Sequence, residues 1–102
     1  MPRLLTDEEI TRQLQDLAGW QRHGAGDAIG ATFELADFAA ALDFVLQVGH
    51  EAEQLDHHPD IDIRWNRVTL VLSTHSEGGL TQLDIELAHR IGAETGLAPQ
   101  PR

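Results

Sequence analysis

The sequence predicts an α+β domain in which three helices cover one face of a four-stranded antiparallel sheet, in the order α-β-β-α-β-β-α. Three observations predict this fold. Apolar residues recur at helical spacing in three segments, they alternate with polar residues in four shorter segments, and turn-forming residues join those shorter segments in pairs. Strands paired by short turns are antiparallel. At 102 residues the chain has room for one core, so residues 1–102 are expected to form a single domain.

The first part of the chain predicts a helix followed by a hairpin. Thr6 and Glu9 have the form of a capping box, which starts a helix, and Gly19 ends the helical repeat of apolar residues. Two strand-like segments then flank a glycine-rich stretch, as expected of antiparallel strands joined by a turn. The predicted elements are the helix 6–17, the strands 20–23 and 29–35, and the turn 24–27.

A long second helix is predicted from Asp37, whose side chain can cap its N-terminus, to the pair His58-Pro59. Proline ends the helix because it lacks a backbone N–H and disfavours a helical residue before it. The apolar band of this helix is wider than one core contact requires, so we expect a second buried face, against another element or across a subunit interface. Its members are Phe38, Ala41, Leu42, Phe44, Val45, Val48, Gly49, Ala52 and Leu55.

The remaining chain predicts a second hairpin and a last helix. Apolar and polar residues alternate on both sides of a polar turn, which is typical of paired strands. Thr81 and Asp84 repeat the form of a capping box, so the last helix is expected to start at Thr81. The predicted segments are the strands 60–65 and 68–73, the turn Asn66-Arg67, the loop 76–79 and a tail 96–102 that is expected to fray.

The composition excludes several classes of function. Seventeen acidic and seven basic side chains give a net charge of −10, which repels phosphate, so direct nucleic-acid binding is not expected. The absence of cysteine excludes thiol nucleophiles and zinc thiolate sites, and it agrees with a reducing cytoplasm. No apolar run is long enough to span a bilayer and no signal peptide is recognisable, so a soluble, cytoplasmic protein without a membrane partner is expected.

The histidines are the best clue to function. Neutral and protonated imidazole coexist near neutral pH, so a cluster formed by His57, His58 and His75 can supply both a proton acceptor and a proton donor. Glu53 and His57 are four residues apart on the second helix, so we expect the carboxylate to contact His57 and fix its tautomer. Each residue also has a structural explanation: a surface pair for Glu53 and His57, helix capping for His57 and His58, and a strand end for His75.

Other candidate residues have strong structural alternatives. Asp84 lies in the first turn of a helix, where capping by itself explains an acidic residue. Trp20 and Trp65 are typical core aromatics, although a planar ring also stacks on flat heterocycles. A histidine–carboxylate site for zinc or iron is the main rival to acid–base chemistry, but the spacing matches no familiar metal signature.

Together these residues resemble the signature of the pterin-4a-carbinolamine dehydratases. The signature residues are Glu53, His57-His58-Pro59, Trp65, His75 and Asp84. Matching positions run in order along the chain at Gly19-Trp20, Asp27-Ala28-Ile29, Asp37-Phe38, Ala52-Glu53, Leu55-Asp56, Leu72-Ser73-Thr74-His75, Gly79-Leu80 and Asp84-Ile85. The resemblance implies a single dehydratase-like domain with the same α+β fold, assembled into a homodimer or homotetramer.

The resemblance also implies an activity: dehydration of 4a-hydroxytetrahydropterin (4a-hydroxytetrahydrobiopterin) to quinonoid dihydropterin plus water, a lyase reaction of tetrahydropterin recycling without a metal or other cofactor. His57 and His75 would exchange protons with the pterin, His58 would position it and share in the proton transfer, and Glu53 would orient the pair. The implied substrate contacts are Trp20, Asp56, Pro59, Ser73, Thr74, Ser76 and Asp84, with Ser76 in place of a glutamate of animal members.

Relatives of this family imply three alternatives: a molybdopterin-related dehydratase, an assembly factor for the carbon-fixing carboxylase, and a dimerisation cofactor of transcription factors. Assembly factors tend to depart from the histidine signature. The intact histidines of this chain therefore favour an enzyme.

Overall fold

A computed structural model describes residues 2–101, and its elements follow the predicted order. They are α1 (Asp7–Leu14), β1 (Gln21–His23), β2 (Ala28–Glu34), α2 (Phe38–Leu55), β3 (Asp60–Arg64), β4 (Arg67–Leu72) and α3 (Gln82–Thr95), with a 3-10 turn at His75–Glu77. The strands pair antiparallel in the order β1-β2-β4-β3 and form one open sheet. The predicted α+β fold is therefore confirmed.

The core lies between the inner face of the sheet and the helices. Phe33 on β2 occupies its centre, in edge contact with the ring of Trp20 at a centroid distance of 6.2 Å and in tilted contact with Phe44 on α2 at 4.6 Å. The central strands β2 and β4 bury alternate residues, as their sequence pattern predicted. Other fully buried side chains are Ile29, Val48, Val68, Leu70, Leu72, Ile85, Leu87 and Ile91.

The capping box of α1 is confirmed. The hydroxyl of Thr6 accepts a hydrogen bond from the backbone N–H of Glu9 at 3.1 Å, and the Glu9 carboxylate accepts from the N–H of Thr6 at 2.9 Å. The helix itself ends at Leu14 rather than at residue 17. The reason is a tightened last turn, in which the N–H of Leu17 donates to the carbonyl of Leu14, only three residues back.

The Glu9 carboxylate is expected to make α1 sensitive to acid. Hydrogen bonds from Arg3, and then from the backbone of Thr6, lower the pKa of Glu9 from 4.5 to about 2. Because the folded-state pKa is depressed, this stabilisation is complete above pH 4.5 and is lost as the pH falls towards 2. Urea unfolding of Glu9→Gln should therefore show a weaker pH dependence over this interval than wild type. A Glu9 carboxyl that titrates near 4.5 by NMR would contradict the prediction.

One side of α2 remains uncovered. The helix spans 18 residues from its cap at Asp37, whose carboxylate accepts from the N–H of Ala40 at 2.8 Å. Phe38, Leu42 and Leu46 lie one turn apart on its outer side and are 44%, 47% and 74% exposed. The predicted wide band is thus buried on one side only. In the described part of the chain no helix, α2 included, has the length and apolar content needed to cross a membrane.

The second hairpin turns one residue earlier than predicted. Trp65 and Asn66 form the turn, and Arg67 already belongs to β4, where it pairs with Arg64. Trp65 has φ +55° and is 67% exposed, with its ring stacked on that of Phe38 at a centroid distance of 6.4 Å. The interpretation of Trp65 as a core aromatic is therefore wrong, because a residue at the hairpin tip extends beyond the sheet that covers the core.

The C-terminal tail is docked rather than frayed. The N–H of Gln100 donates to the carbonyl of Thr32 on β2 at 2.7 Å, past the last residue of β2 that pairs with β1. Pro99 packs against Gly19, where a Cβ atom would lie 2.8 Å from the proline ring. The predicted fraying is thus wrong for the described part of the tail, because a free sheet edge binds it. Arg102 lies outside the described residues.

Candidate active site

The end of α2 positions the two adjacent histidines. Asp56 takes the left-handed conformation, with φ +49°, and its N–H donates to the carbonyl of Glu53 at 3.2 Å. The N–H of His57 donates to the carbonyl of Ala52 at 3.0 Å, which completes a Schellman cap. This cap changes the chain direction between the two rings. His57 turns inward and is 8% exposed, whereas the side chain of His58 is 56% exposed.

The histidines bond to different acids than predicted. Nε2 of His57 lies 2.6 Å from Oδ1 of Asp84, a fully buried residue of α3. The predicted contact between Glu53 and His57 is therefore wrong, and the Glu53 carboxylate instead bonds Nε2 of His58, at 2.5 Å and at the surface. The physical reason is the left-handed turn at Asp56, after which His57 no longer lies one helical turn beyond Glu53.

Asp84 both caps α3 and orients His57. Its Oδ2 accepts from the N–H of Thr81 at 2.9 Å and from the hydroxyl of Thr74 at 2.8 Å, while Oδ1 faces His57. The predicted capping box of α3 is confirmed. Because Asp84 is 0% exposed, it can act on a substrate only through His57, not as the direct contact that the resemblance implied.

The segment after β4 turns Thr74 inward and His75 outward. An isolated bridge pairs Thr74 with Gly79, and the N–H of Thr74 donates to the Gly79 carbonyl at 2.9 Å. Thr74 is 4% exposed, so its hydroxyl belongs to the buried network rather than to a surface that contacts substrate directly. His75 opens the 3-10 turn and is exposed. It follows Thr74 directly, so it lies beside the Asp84 network.

The other predicted contact residues differ in their surroundings. Trp20 is 6% exposed and packs on Phe33, so its alternative role as a core aromatic is the one observed. Asp56 and Ser76 are exposed and Pro59 is half-buried. Ser73 is also half-buried, and its hydroxyl donates to a backbone carbonyl of the β1–β2 turn at 2.8 Å. Asp56, Pro59, Ser73 and Ser76 thus remain available to a ligand, whereas Trp20 is not.

The sheet explains why these segments meet. Asp60 at the start of β3 pairs with Val71 near the end of β4, so the chain entering β3 and the chain leaving β4 lie at the same end of the sheet. The histidine pair precedes β3, and Thr74 and His75 follow β4. Within residues 2–101, no group of three or more histidine, aspartate or glutamate side chains is arranged to hold a metal ion.

The sequence did not indicate the hydroxyl contact between Thr81 and Thr74. Their oxygens lie 2.7 Å apart. The capping box predicted where the Thr81 hydroxyl sits, but not which other segment it faces. The available signal was Thr74, the polar residue next to His75 after the end of β4. Its partners depend on how this segment packs against the start of α3.

Comparison with known proteins identifies the family. A family model described as pterin 4 alpha carbinolamine dehydratase matches residues 3–93. The chain belongs to this family. A protein of Roseiflexus castenholzii is 53% identical over 91 residues, 89% of this chain and 96% of the relative. A protein of Mycobacterium tuberculosis is 47% identical over 93 residues, 91% of this chain and 97% of the relative. Both are named, provisionally, as pterin-4-alpha-carbinolamine dehydratases.

Two solved structures resemble the dehydratase-family fold of this chain. The crystal structure of a transcriptional coactivator/pterin dehydratase from Brucella melitensis has a TM-score of 0.85 and 42% identity, covering 89% of this chain and 97% of that chain. A pterin dehydratase-like protein identified as a RuBisCO assembly factor in the alpha-carboxysome has a TM-score of 0.65 and 20% identity, covering 78% and 93%. The second likeness concerns the fold only.

Proposed function

We propose that this member of the dehydratase family catalyses the dehydration of a 4a-hydroxytetrahydropterin, such as 4a-hydroxytetrahydrobiopterin, to quinonoid dihydropterin and water. The observation that carries the proposal is His57, which is almost buried and held through Nε2 by the buried carboxylate of Asp84. A histidine oriented in this way by a carboxylate, at the edge of a half-exposed cluster, suits proton transfer to a bound ring. Family membership supports the pterin as the substrate class.

The reaction requires one acid and one base on the same ring. The bond between carbon 4a and its hydroxyl oxygen breaks, and an acid protonates the departing oxygen so that water leaves. A base removes the proton from nitrogen 5, and the electrons of that N–H bond form the new double bond to carbon 4a. The net change is the loss of water, so no electron acceptor is consumed. Imidazole performs both transfers near neutral pH.

The proposed roles of His57 and His58 are supported by their observed contacts, and that of His75 by its place in the family signature. His57 and His75 exchange the two protons, while His58 contacts the pterin and is itself oriented by Glu53 at 2.5 Å. Asp84 orients His57, a role that we had expected of Glu53. Asp56, Pro59, Ser73 and Ser76 are the proposed lining of the pterin site. A cytoplasmic location is also part of the proposal and is supported by the absence of cysteine.

The decisive test is a dehydration assay on freshly generated 4a-hydroxytetrahydropterin. Wild type should exceed the spontaneous rate, His75→Ala should lower kcat by roughly 10²-fold or more, and His58→Ala should mainly raise KM. His89→Ala, which removes an exposed histidine of α3, should leave both constants unchanged. A wild-type rate equal to the spontaneous rate would refute the proposal and leave a non-catalytic role. Faster turnover of a molybdopterin-related substrate would favour that alternative.

Treatment with a chelator tests the rival metal site. We expect the dehydration rate to be unchanged, because the proposed steps use only imidazole nitrogens. A rate that disappears with the metal and returns on addition of zinc or iron would contradict the proposed mechanism.

We also propose a homodimer or homotetramer that covers the outer side of α2. Burying an exposed leucine contributes roughly 1.5–3 kcal/mol, and Leu46 at 74% exposure lies in a groove together with Val45 and with Ile61 of the edge strand β3. Leu46→Glu should therefore shift the protein towards monomer in sedimentation velocity. Thr11→Glu, which adds the same charge at an exposed position of α1 outside that groove, should not. A wild type that sediments as a monomer at every concentration would contradict this proposal.

A further inference from the structure

A continuous chain of hydrogen bonds links the N-terminal cap of α3 to His57. The hydroxyl oxygens of Thr81 and Thr74 lie 2.7 Å apart, the Thr74 hydroxyl lies 2.8 Å from Oδ2 of Asp84, and Oδ1 of Asp84 lies 2.6 Å from Nε2 of His57. These four residues are between 0% and 8% exposed. Water therefore competes little for their polar atoms. The hydrogens at these contacts must be donated from one member of the network to another.

The positions of these hydrogens follow from counting donors and acceptors. A carboxylate only accepts, so the Thr74 hydroxyl donates to Oδ2 of Asp84 and its oxygen is left to accept from the Thr81 hydroxyl. The Thr81 oxygen in turn accepts from the N–H of Leu83 at 3.3 Å. On the other side of the carboxylate, Oδ1 needs a donor, so Nε2 of His57 carries the hydrogen. The donor and the acceptor of each hydrogen bond in this network are thus assigned.

Nδ1 is the nitrogen of His57 that remains for a ligand. Nε2 forms the one side-chain hydrogen bond of this ring within residues 2–101. Among the same residues, no buried side-chain nitrogen or oxygen lacks a partner, so Nδ1 must reach the small exposed part of His57. With hydrogen on Nε2, the neutral ring has its lone pair on Nδ1. The protonated ring donates from the same atom.

We propose that Thr81 is a positioning residue of the active site, and that His57 exchanges its proton with the pterin through Nδ1. The choice of reacting atom rests on the proposed function, whereas the tautomer does not depend on any substrate. The proton moves only between Nδ1 and the pterin, and the Nε2 hydrogen stays on its bond to Asp84. The threonine hydroxyls therefore take no part in the proton transfer. Their hydroxyls hold the carboxylate in the orientation that keeps hydrogen on Nε2.

The test combines NMR with kinetics. Nitrogen-15 correlation spectra of the histidine rings, assigned by the signals missing in His57→Gln, should show wild-type His57 with hydrogen on Nε2. Thr81→Val keeps the side-chain volume but removes the hydroxyl. It should populate the other tautomer and lower kcat roughly 10- to 100-fold with little change in KM. Thr81→Ser, which restores a hydroxyl, should recover both the tautomer and kcat.

Thr6→Val is the matched control, because Thr6 caps α1 through the same capping box but has no hydrogen bond to the His57 network. It should lose helix stability without changing the His57 spectrum or kcat. Wild-type His57 with hydrogen on Nδ1 would overturn the assignment of the reacting atom. Equal spectra and kcat for Thr81→Val, Thr6→Val and wild type would overturn the role of Thr81. The expected spectra without any turnover would instead support the positioning and refute the dehydratase activity.

Discussion

Replacement of His57 by glutamine is expected to lower kcat for 4a-hydroxytetrahydropterin dehydration by roughly 10²- to 10⁴-fold, the usual contribution of a positioned acid or base. The glutamine amide can still donate to Asp84, which leaves that buried carboxylate satisfied, but it cannot take up or release a proton near neutral pH. The loss should therefore appear in kcat rather than in folding. KM should change little, because His57 exposes only 8% of its surface to a ligand.

Stopped-flow measurement of the dehydration rate checks this result, with circular dichroism to verify the fold of the variant. His50→Gln is the matched control, because it makes the same substitution at an exposed position of α2. Its kcat should equal that of wild type. Full turnover in His57→Gln would show that this ring transfers no proton, and the proposed mechanism would then fail at its central residue.

Replacement of Asp84 by alanine is expected to destabilise the protein by roughly 3–5 kcal/mol, as for other buried pairs that lose one partner. The change leaves three donors without their acceptor: Nε2 of His57, the hydroxyl of Thr74 and the backbone N–H of Thr81. It also removes half of the capping box of α3. Since domains of this size unfold at a cost of about 5–15 kcal/mol, the loss is a large part of the total.

Urea denaturation measures this difference in the free energy of unfolding. Glu86→Ala is the control, since Glu86 lies on the exposed side of the same helix and forms only a surface pair with Arg90 at 3.9 Å. This substitution should lower the free energy of unfolding by less than about 1 kcal/mol. Equal midpoints for the Asp84 and Glu86 variants would show that the buried network contributes nothing to stability.

Residue types and their spacing were sufficient to predict the elements and most of their ends. Both capping boxes and the Asp37 cap depend on contacts between residues three apart, so residue types at fixed spacing were sufficient to predict them. The errors at element ends are equally local. The last turn of α1 tightens, α2 ends at Leu55 before the left-handed residue Asp56 rather than at His58-Pro59, and the second hairpin turns at Trp65. The histidine signature also sufficed to identify the family.

Which acid bonds to which histidine depends on how the helices pack, and spacing along the chain did not predict it. Sequence spacing paired Glu53 with His57, but the left-handed residue Asp56 turns His57 towards a carboxylate 27 residues away. That contact exists because the end of α2 packs against the start of α3, and spacing along one helix carries no information about the approach of two helices. The docked tail was missed for the same reason. Local rules predict an element, whereas a site formed between elements depends on how they pack.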